Sequence, residues 1–262
     1  MRFDVLTLFP ELFDAARTGV TGRAFRDLGH HLETLNYRAF AGNPWGRVDD
    51  SPFGGGPGMV LRPDVLRDAL AALPRAGRGR VIHFSPAAPP LDHAKVVELA
   101  ALDQLILVCT RFEGVDQRAV DRYVDEELRV GEAVLSGGEL PALCLIDAVC
   151  RWLPEVLGNE ASAQEDSFAT GLLDHTHYTR PARFEGQEVP PVLLGGDHEE
   201  VRLWRLREAM ERTRRLRPDL WRTFLEQRLG GLPRTDQWCA WQAEHPEDRD
   251  RPKPKGWRGW SR

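Results

Sequence analysis

Three stretches of this 262-residue chain share one chemical character, small residues and glycines placed directly after an apolar run. Ser85-Pro86 follows Val81-Ile82-His83-Phe84, and Thr110-Arg111-Phe112-Glu113-Gly114 follows Leu105-Ile106-Leu107-Val108. The third, Val134-Leu135-Ser136-Gly137-Gly138-Glu139-Leu140-Pro141, comes after the strand-like Glu127-Leu128-Arg129-Val130. Such turns offer backbone N–H and C=O groups rather than a charged catalytic centre, and those groups can read the edge of an adenine ring. In an open α/β sheet, ligands bind beyond the carboxyl ends of the strands, so three such turns can converge on one crevice.

Other residues carry two readings each. Gly54-Gly55-Gly56-Pro57-Gly58 is either a flexible loop or a ligand cradle, but it lacks the Lys-Ser/Thr of a phosphate loop and the strand-to-helix setting of a dinucleotide fingerprint. Glu113 can pair with Arg111 or cap a helix near Val115. Asp166 reads as one of the solvated acids of a linker that also holds Glu160 and Glu165, and Arg151 as a cation at a helix C-terminus. His175 and His177 form an H-x-H pair without an obvious further ligand, which makes a structural role the default and gives no metal signature.

The elements that must position these residues alternate. Arg2 to Phe9 reads as a strand, followed by a helical segment from Pro10-Glu11 through Val20. From Arg80 onward come a strand, a helix (about 91 to 102), a strand, a helix (about 115 to 124) and another strand, which predicts a parallel sheet covered by helices. The segment from Leu140 to Leu153 is apolar on almost every face, so it must be buried on both sides, in a core or against a second subunit. Residues 42–60 are too rich in Gly, Pro and Asp for regular structure. The small, polar and acidic residues 158–171 mark a linker between a domain at 1–157 and a second at 172–262. Arginines crowd a helical pattern over 201–228, and the charged, Pro-rich tail from about Glu244 is expected to be mobile.

Bulk composition limits the function classes. Hydrophobic residues make up 42% and charged residues 29%, which excludes wholesale disorder. There is no run apolar enough to cross a bilayer and no signal-peptide pattern, so a cytoplasmic location without membrane partners is expected. Cys109, Cys144, Cys150 and Cys239 form no CxxC pair and read as reduced structural thiols. A net charge of −5 argues against nucleic acid in total, yet the basic residues cluster beyond the linker.

Five blocks of the sequence are long and unusual: Val20-Thr21-Gly22-Arg23-Ala24; Val48-Asp49-Asp50 with Pro52 through Met59; Leu135 through Ala142; Glu160-Ala161-Ser162-Ala163 with Glu165-Asp166-Ser167-Phe168; and His177-Tyr178-Thr179-Arg180-Pro181. In this order they resemble the signature blocks of the bacterial tRNA (guanine-37-N1)-methyltransferases, the TrmD family of the SPOUT superfamily, from residue 1 to about 228. The resemblance implies an α/β fold with a deep trefoil knot, a smaller helical C-terminal domain and a homodimer with its active site at the subunit interface. The knot itself comes from the resemblance alone, since chains are as a rule unknotted. Ser85, Pro86, Glu113, Gly114, Val130, Gly131, Leu135, Gly137, Gly138 and Pro141 would line an S-adenosylmethionine pocket. Asp166 would be the general base and Arg151 the catalytic cation, with Asp50, Ser162, His177, Tyr178, Arg180, Arg205, Arg214 and Arg215 toward a tRNA bearing guanine at position 37. A divalent ion such as magnesium is implied too, with Glu113 and Asp166 as the candidate contacts.

The chain departs from the family pattern at His83-Phe84, Thr110, Phe112 and Ala133, which bears on single cofactor contacts. Competing readings are another knotted RNA methyltransferase with a different target base, a nucleotide-dependent transferase cradling phosphate on the glycine loop, and a non-catalytic RNA-binding protein using only the basic helices.

Overall fold

The computed structural model describes residues 1–158 and 166–260, which divide into two compact units, Met1–Glu160 and Ala161–Arg262. Ser162, with Glu160 and Glu165, lies outside the described residues.

In the first unit, five strands form one sheet: β1 (Arg2–Thr7), β2 (His31–Asn36), β5 (Gly79–Phe84), β6 (Gln104–Val108) and β8 (Glu126–Leu128). Their order is β2-β1-β6-β5-β8, and every neighbouring pair runs parallel. The central β6, QLILV, is buried at every position, as a strand covered on both faces must be. Successive side chains alternate between faces, so the sheet feeds two cores. Phe3, Val5, Leu105, Leu107 and Ile82 pack with α1 (Gly19–Asp27), α3 (His93–Ala100) and α5 (Glu139–Cys150). Leu6, Ile106, Val108 and Val81 pack with α2 (Pro63–Ala72) and α4 (Gln117–Tyr123). A second, three-stranded ladder joins β3 (Asp49–Asp50), β4 (Val60–Leu61) and β7 (Gly114–Val115), tying the glycine-rich loop to the segment after β6.

Local chemistry sets the helix starts. Asp92 and Asp116 cap α3 and α4 by accepting from the backbone N–H groups of Lys95 (2.8 Å) and Arg118 (3.0 Å). The helix expected from Pro10 through Val20 is instead a 3₁₀ turn, Pro10–Arg17, followed by α1; Gly19 has φ +59°, a left-handed value that breaks the continuous α-helical path. Helix α5 is buried on one side through Pro141, Ala142, Leu145, Ile146 and Val149, while Leu140 and Cys144 are exposed on the other.

The second unit contains a small hairpin, β9 (Arg183–Phe184) with β10 (Gln187–Glu188), and helices α6 (His198–Leu216), α7 (Pro218–Gln227) and α8 (Arg234–Glu244). The arginine-rich pattern is split into α6 and α7 because Pro218 opens a new helix and cannot donate within an old one. Met210, Trp221, Phe224, Cys239 and Ala240 form its core. The tail expected to be mobile lies against α8. Trp257 meets Trp238 edge-on, Trp260 meets Trp241, and the Gln242 amide donates to the carbonyls of Asp248, Arg249 and Arg251. No described helix is long and apolar enough to cross a membrane.

Candidate functional site

Strands β5, β6 and β8 end at the same edge of the sheet, and the turns that follow them enclose a crevice of about 620 Å³. Ser85, Pro86, Glu113, Gly114, Val130, Leu135, Gly137, Gly138 and Pro141 all line it. Gly131 does not; it is exposed at φ +77°. Phe84, Phe112, Leu128 and Ala133 add apolar wall, and Asp49, Gly58, Met59 and Arg129, which were not among the expected donor-lining positions, line it too.

The turns are held by close packing. A Cβ on Gly138 would sit 2.9 Å from the Cys109 Cα and 3.3 Å from the Thr110 nitrogen, and the Gly138 N–H donates to the Thr110 carbonyl at 3.0 Å. The turn after β6 and the start of α5 therefore touch backbone to backbone, which only glycine permits. A Cβ on Gly137 would strike Arg111 and Glu139 side-chain atoms, whereas one on Gly114 would meet no atom within 4 Å.

One buried acid anchors this arrangement. Glu139, fully buried at the start of α5, accepts from the Thr7 hydroxyl (2.9 Å) at the end of β1 and from Arg111 Nε (2.9 Å). Arg111 in turn stacks over the Phe9 ring at 4.5 Å and reaches the Ser136 hydroxyl at 3.3 Å. Arg111 thus pairs with Glu139, and Asp116 caps α4. Glu113 takes neither of the structural roles open to it in sequence. Its N–H donates to the Met59 carbonyl (3.0 Å), and its side chain packs where a Cβ of Gly58 would be. His83 is buried with Nδ1 2.7 Å from Glu127 and Nε2 3.4 Å from the Thr110 hydroxyl, so two of the departures from the family pattern contact each other. Burial also pushes the thiol of the core residue Cys109 well up, with Glu139 adding to the effect, so it stays a neutral apolar group beneath the turn.

Arg151 is the C-cap of α5, its N–H bonded to the Asp147 carbonyl at 3.3 Å. Asp50 is exposed on β3, accepts from the Ser51 N–H (2.8 Å) and lies 3.6 Å from Arg47, while its neighbour Asp49 faces the crevice. On the adjoining loop, Trp45 and Phe53 are 88% and 98% exposed.

In the second unit, His177, Tyr178, Arg180 and Arg205 share one depression of about 400 Å³ with Trp204, whose ring lies 6.2 Å from that of Tyr178. Asp166 lines a neighbouring depression with Asp174, His175, His177, His198 and Arg205. Arg214 and Arg215 stand apart in the last turn of α6, Arg214 3.4 Å from Glu244. Other arginines of the basic pattern are committed to carboxylates. Arg202 binds Glu199 and Asp236, which push its guanidinium pKa up, and Arg217 binds Asp219.

A parallel sheet wrapped by helices, with a glycine-walled crevice at its carboxyl edge, defines an α/β protein built to hold a small ligand largely by backbone. A model of the family described as tRNA (Guanine-1)-methyltransferase TrmD matches residues 1–223, and the chain belongs to that family. Among its relatives, a protein of Dechloromonas aromatica named tRNA (guanine-N(1)-)-methyltransferase is 53% identical over 228 residues, 84% of this chain and 90% of its own. One of the same name from Shewanella denitrificans is 49% identical over 254 residues, covering 96% of this chain and 99% of its own.

Proposed function

We propose that this chain transfers a methyl group from S-adenosylmethionine to N1 of the guanine at position 37 of tRNA, beside the anticodon. The observation that carries this reading is the meeting of nine resemblance-implied positions in one crevice, within a chain whose relatives bear the name tRNA (guanine-N(1)-)-methyltransferase. The crevice suits the donor. Phe84, Phe112, Leu128 and Val130 offer apolar faces for a purine, the glycine turns offer backbone groups for its edge, and the open space over Gly114 is one that a side chain would fill. When bound, the donor supplies an electrophilic methyl on a sulfonium, so the protein needs no nucleophile of its own.

Two demands remain for side chains. Neutral guanine carries a proton on N1, and Asp166 accepts it as the base is methylated. The departing proton leaves negative charge that moves toward O6, and Arg151 stabilises it with a fixed cation. Catalysis is then positioning plus proton removal. Magnesium held by Glu113 and Asp166 belongs to the same reading, with no step routed through it.

His177, Tyr178, Arg180 and Arg205, with Asp50 and Ser162, hold a loop base splayed out of its stack, and Arg214 and Arg215 grip backbone phosphates. The 1–157 domain binds the donor and the 172–262 domain the RNA, joined by the 158–171 linker. The chain acts as a homodimer with the site at the subunit interface, a view supported by exposed Leu140 and Cys144 on α5 and Val20 on α1. The trefoil knot belongs here also, supported by the backbone-to-backbone contact of Gly138 with Cys109 and Thr110.

The test is label transfer from methyl-labelled S-adenosylmethionine to an unmodified tRNA transcript with guanine at position 37, followed by mapping. Asp166→Asn is expected to fold and bind donor yet transfer at least roughly a hundredfold more slowly. Near-normal turnover by that variant overturns the base assignment. Label on another base indicates a different knotted methyltransferase, and RNA binding without donor binding indicates a non-catalytic module.

A further inference from the structure

We propose that Asp174, His175 and His177 form a binding site for a divalent first-row transition metal, with zinc as its natural occupant. The ligating atoms of the three residues lie within 4.8 Å of one another. Asp174 reaches both imidazoles, through Oδ2 to His177 Nε2 at 2.8 Å and through Oδ1 to His175 Nε2 at 3.8 Å. Metal–ligand bonds of about 2.1 Å at tetrahedral angles put ligand atoms roughly 3.4 Å apart, a spacing inside the 4.8 Å within which one ligand atom from each residue already lies.

The ligands are oriented before any metal arrives. His175 Nδ1 lies 2.9 Å from the Thr176 carbonyl, an arrangement that places its N–H there and turns the Nε2 lone pair toward Asp174. Asp174 is fixed by its own backbone: its N–H donates to the Ser167 hydroxyl (2.9 Å), and its Oδ1 accepts from the His175 N–H (2.7 Å). The Thr176 hydroxyl donates to Glu208 at 2.8 Å, anchoring the residue between the two histidines to α6. This outer shell separates the cluster from a chance meeting of surface side chains.

Two imidazoles and one carboxylate select zinc over magnesium, which takes oxygen ligands almost exclusively. Three protein ligands leave a fourth position open to water, and the cluster borders a depression of about 520 Å³ through which an ion can enter. His198 and Asp166 line that depression too. Arg205 is the opposing cation, while Arg202 is already paired with Glu199 and Asp236. An ion seated there replaces the proton that His177 shares with Asp174.

The metal site shares His177 with the proposed RNA contacts and borders the depression that Asp166 lines, so its test reads metal alone, without RNA or methyl donor. Chelator-treated full-length protein is titrated with zinc by calorimetry, and with cobalt by its visible ligand-field absorption. One equivalent is expected to bind, resisting millimolar magnesium, with intense bands of a tetrahedral site. His175→Gln and His177→Gln are each expected to weaken binding at least roughly tenfold. His177 is exposed, so its variant keeps the fold, which circular dichroism verifies. No stoichiometric binding, or binding equal in the parent and both variants, overturns the proposal.

Discussion

Glu139 shows how much a single side chain can fix. Its buried carboxylate joins the end of β1, the turn after β6 and the start of α5 through Thr7 and Arg111, so the crevice wall depends on it without its charge facing the ligand. Removing one member of a buried ion pair leaves the other uncompensated. Glu139→Ala is therefore expected to destabilise the first unit by about 3 kcal/mol, the low end for such pairs, because Arg111 still reaches solvent. Urea unfolding followed by far-ultraviolet circular dichroism measures this, and a loss below about 1 kcal/mol, the ordinary worth of an exposed pair, contradicts it. At this scale the sequence was only partly legible. Glu139 sat inside a recognisable motif, but nothing local pairs it with Arg111, 28 residues away. Asp174 adjoins the H-x-H pair directly, and its proximity to both rings depends on a backbone turn that residue types do not announce.

Among elements, those with strong apolar signals were legible. The runs that became β5 and β6 are central strands, buried on both faces, and hydrophobicity speaks plainly there. Edge strand β2 escaped notice because HLETLN buries only Leu32 and otherwise resembles a loop. Helix α8 was missed because its RTDQWCAWQAE is polar in composition and gains its place through tertiary contacts of Trp238 and Cys239. The element that matters most for the site is the start of α5, where Gly138 crosses the Cys109–Thr110 backbone. Gly138→Ala forces a Cβ to 2.9 Å from a main-chain carbon, which no rotamer change relieves. Its expected outcome is a folded protein whose S-adenosylmethionine affinity falls at least roughly tenfold, about 1.4 kcal/mol, measured by calorimetry. Unaltered affinity removes this crossing from the binding site.

For the molecule as a whole, stability should follow the many arginine–carboxylate pairs. Arg217 holds the Asp219 carboxyl at about 2, Arg202 lowers Glu199, Arg118 lowers Asp116, and Lys95 with Arg80 lowers Glu98. A carboxylate whose folded pKa is depressed contributes stability that is present above its unfolded value and lost as pH falls through the folded one. Glu211 runs the other way: burial raises its pKa, so its protonation in mild acid favours the fold slightly. The thermal midpoint is expected to stay level from neutrality to about pH 4.5 and to drop progressively toward pH 2. A midpoint unchanged at pH 3 would show that these pairs, all near solvent, contribute nothing measurable.

The indole rings are distributed unevenly, and this governs what light can report. Trp45 and Trp152 belong to the first unit, whereas Trp204, Trp221, Trp238, Trp241, Trp257 and Trp260 belong to the second, with His245 stacked on Trp241 at 3.8 Å. Intrinsic emission is therefore a gauge of the arginine-rich half, and a denaturation curve recorded that way can pass over the sheet altogether. Comparing it with a backbone signal would reveal whether the halves melt as one or in turn.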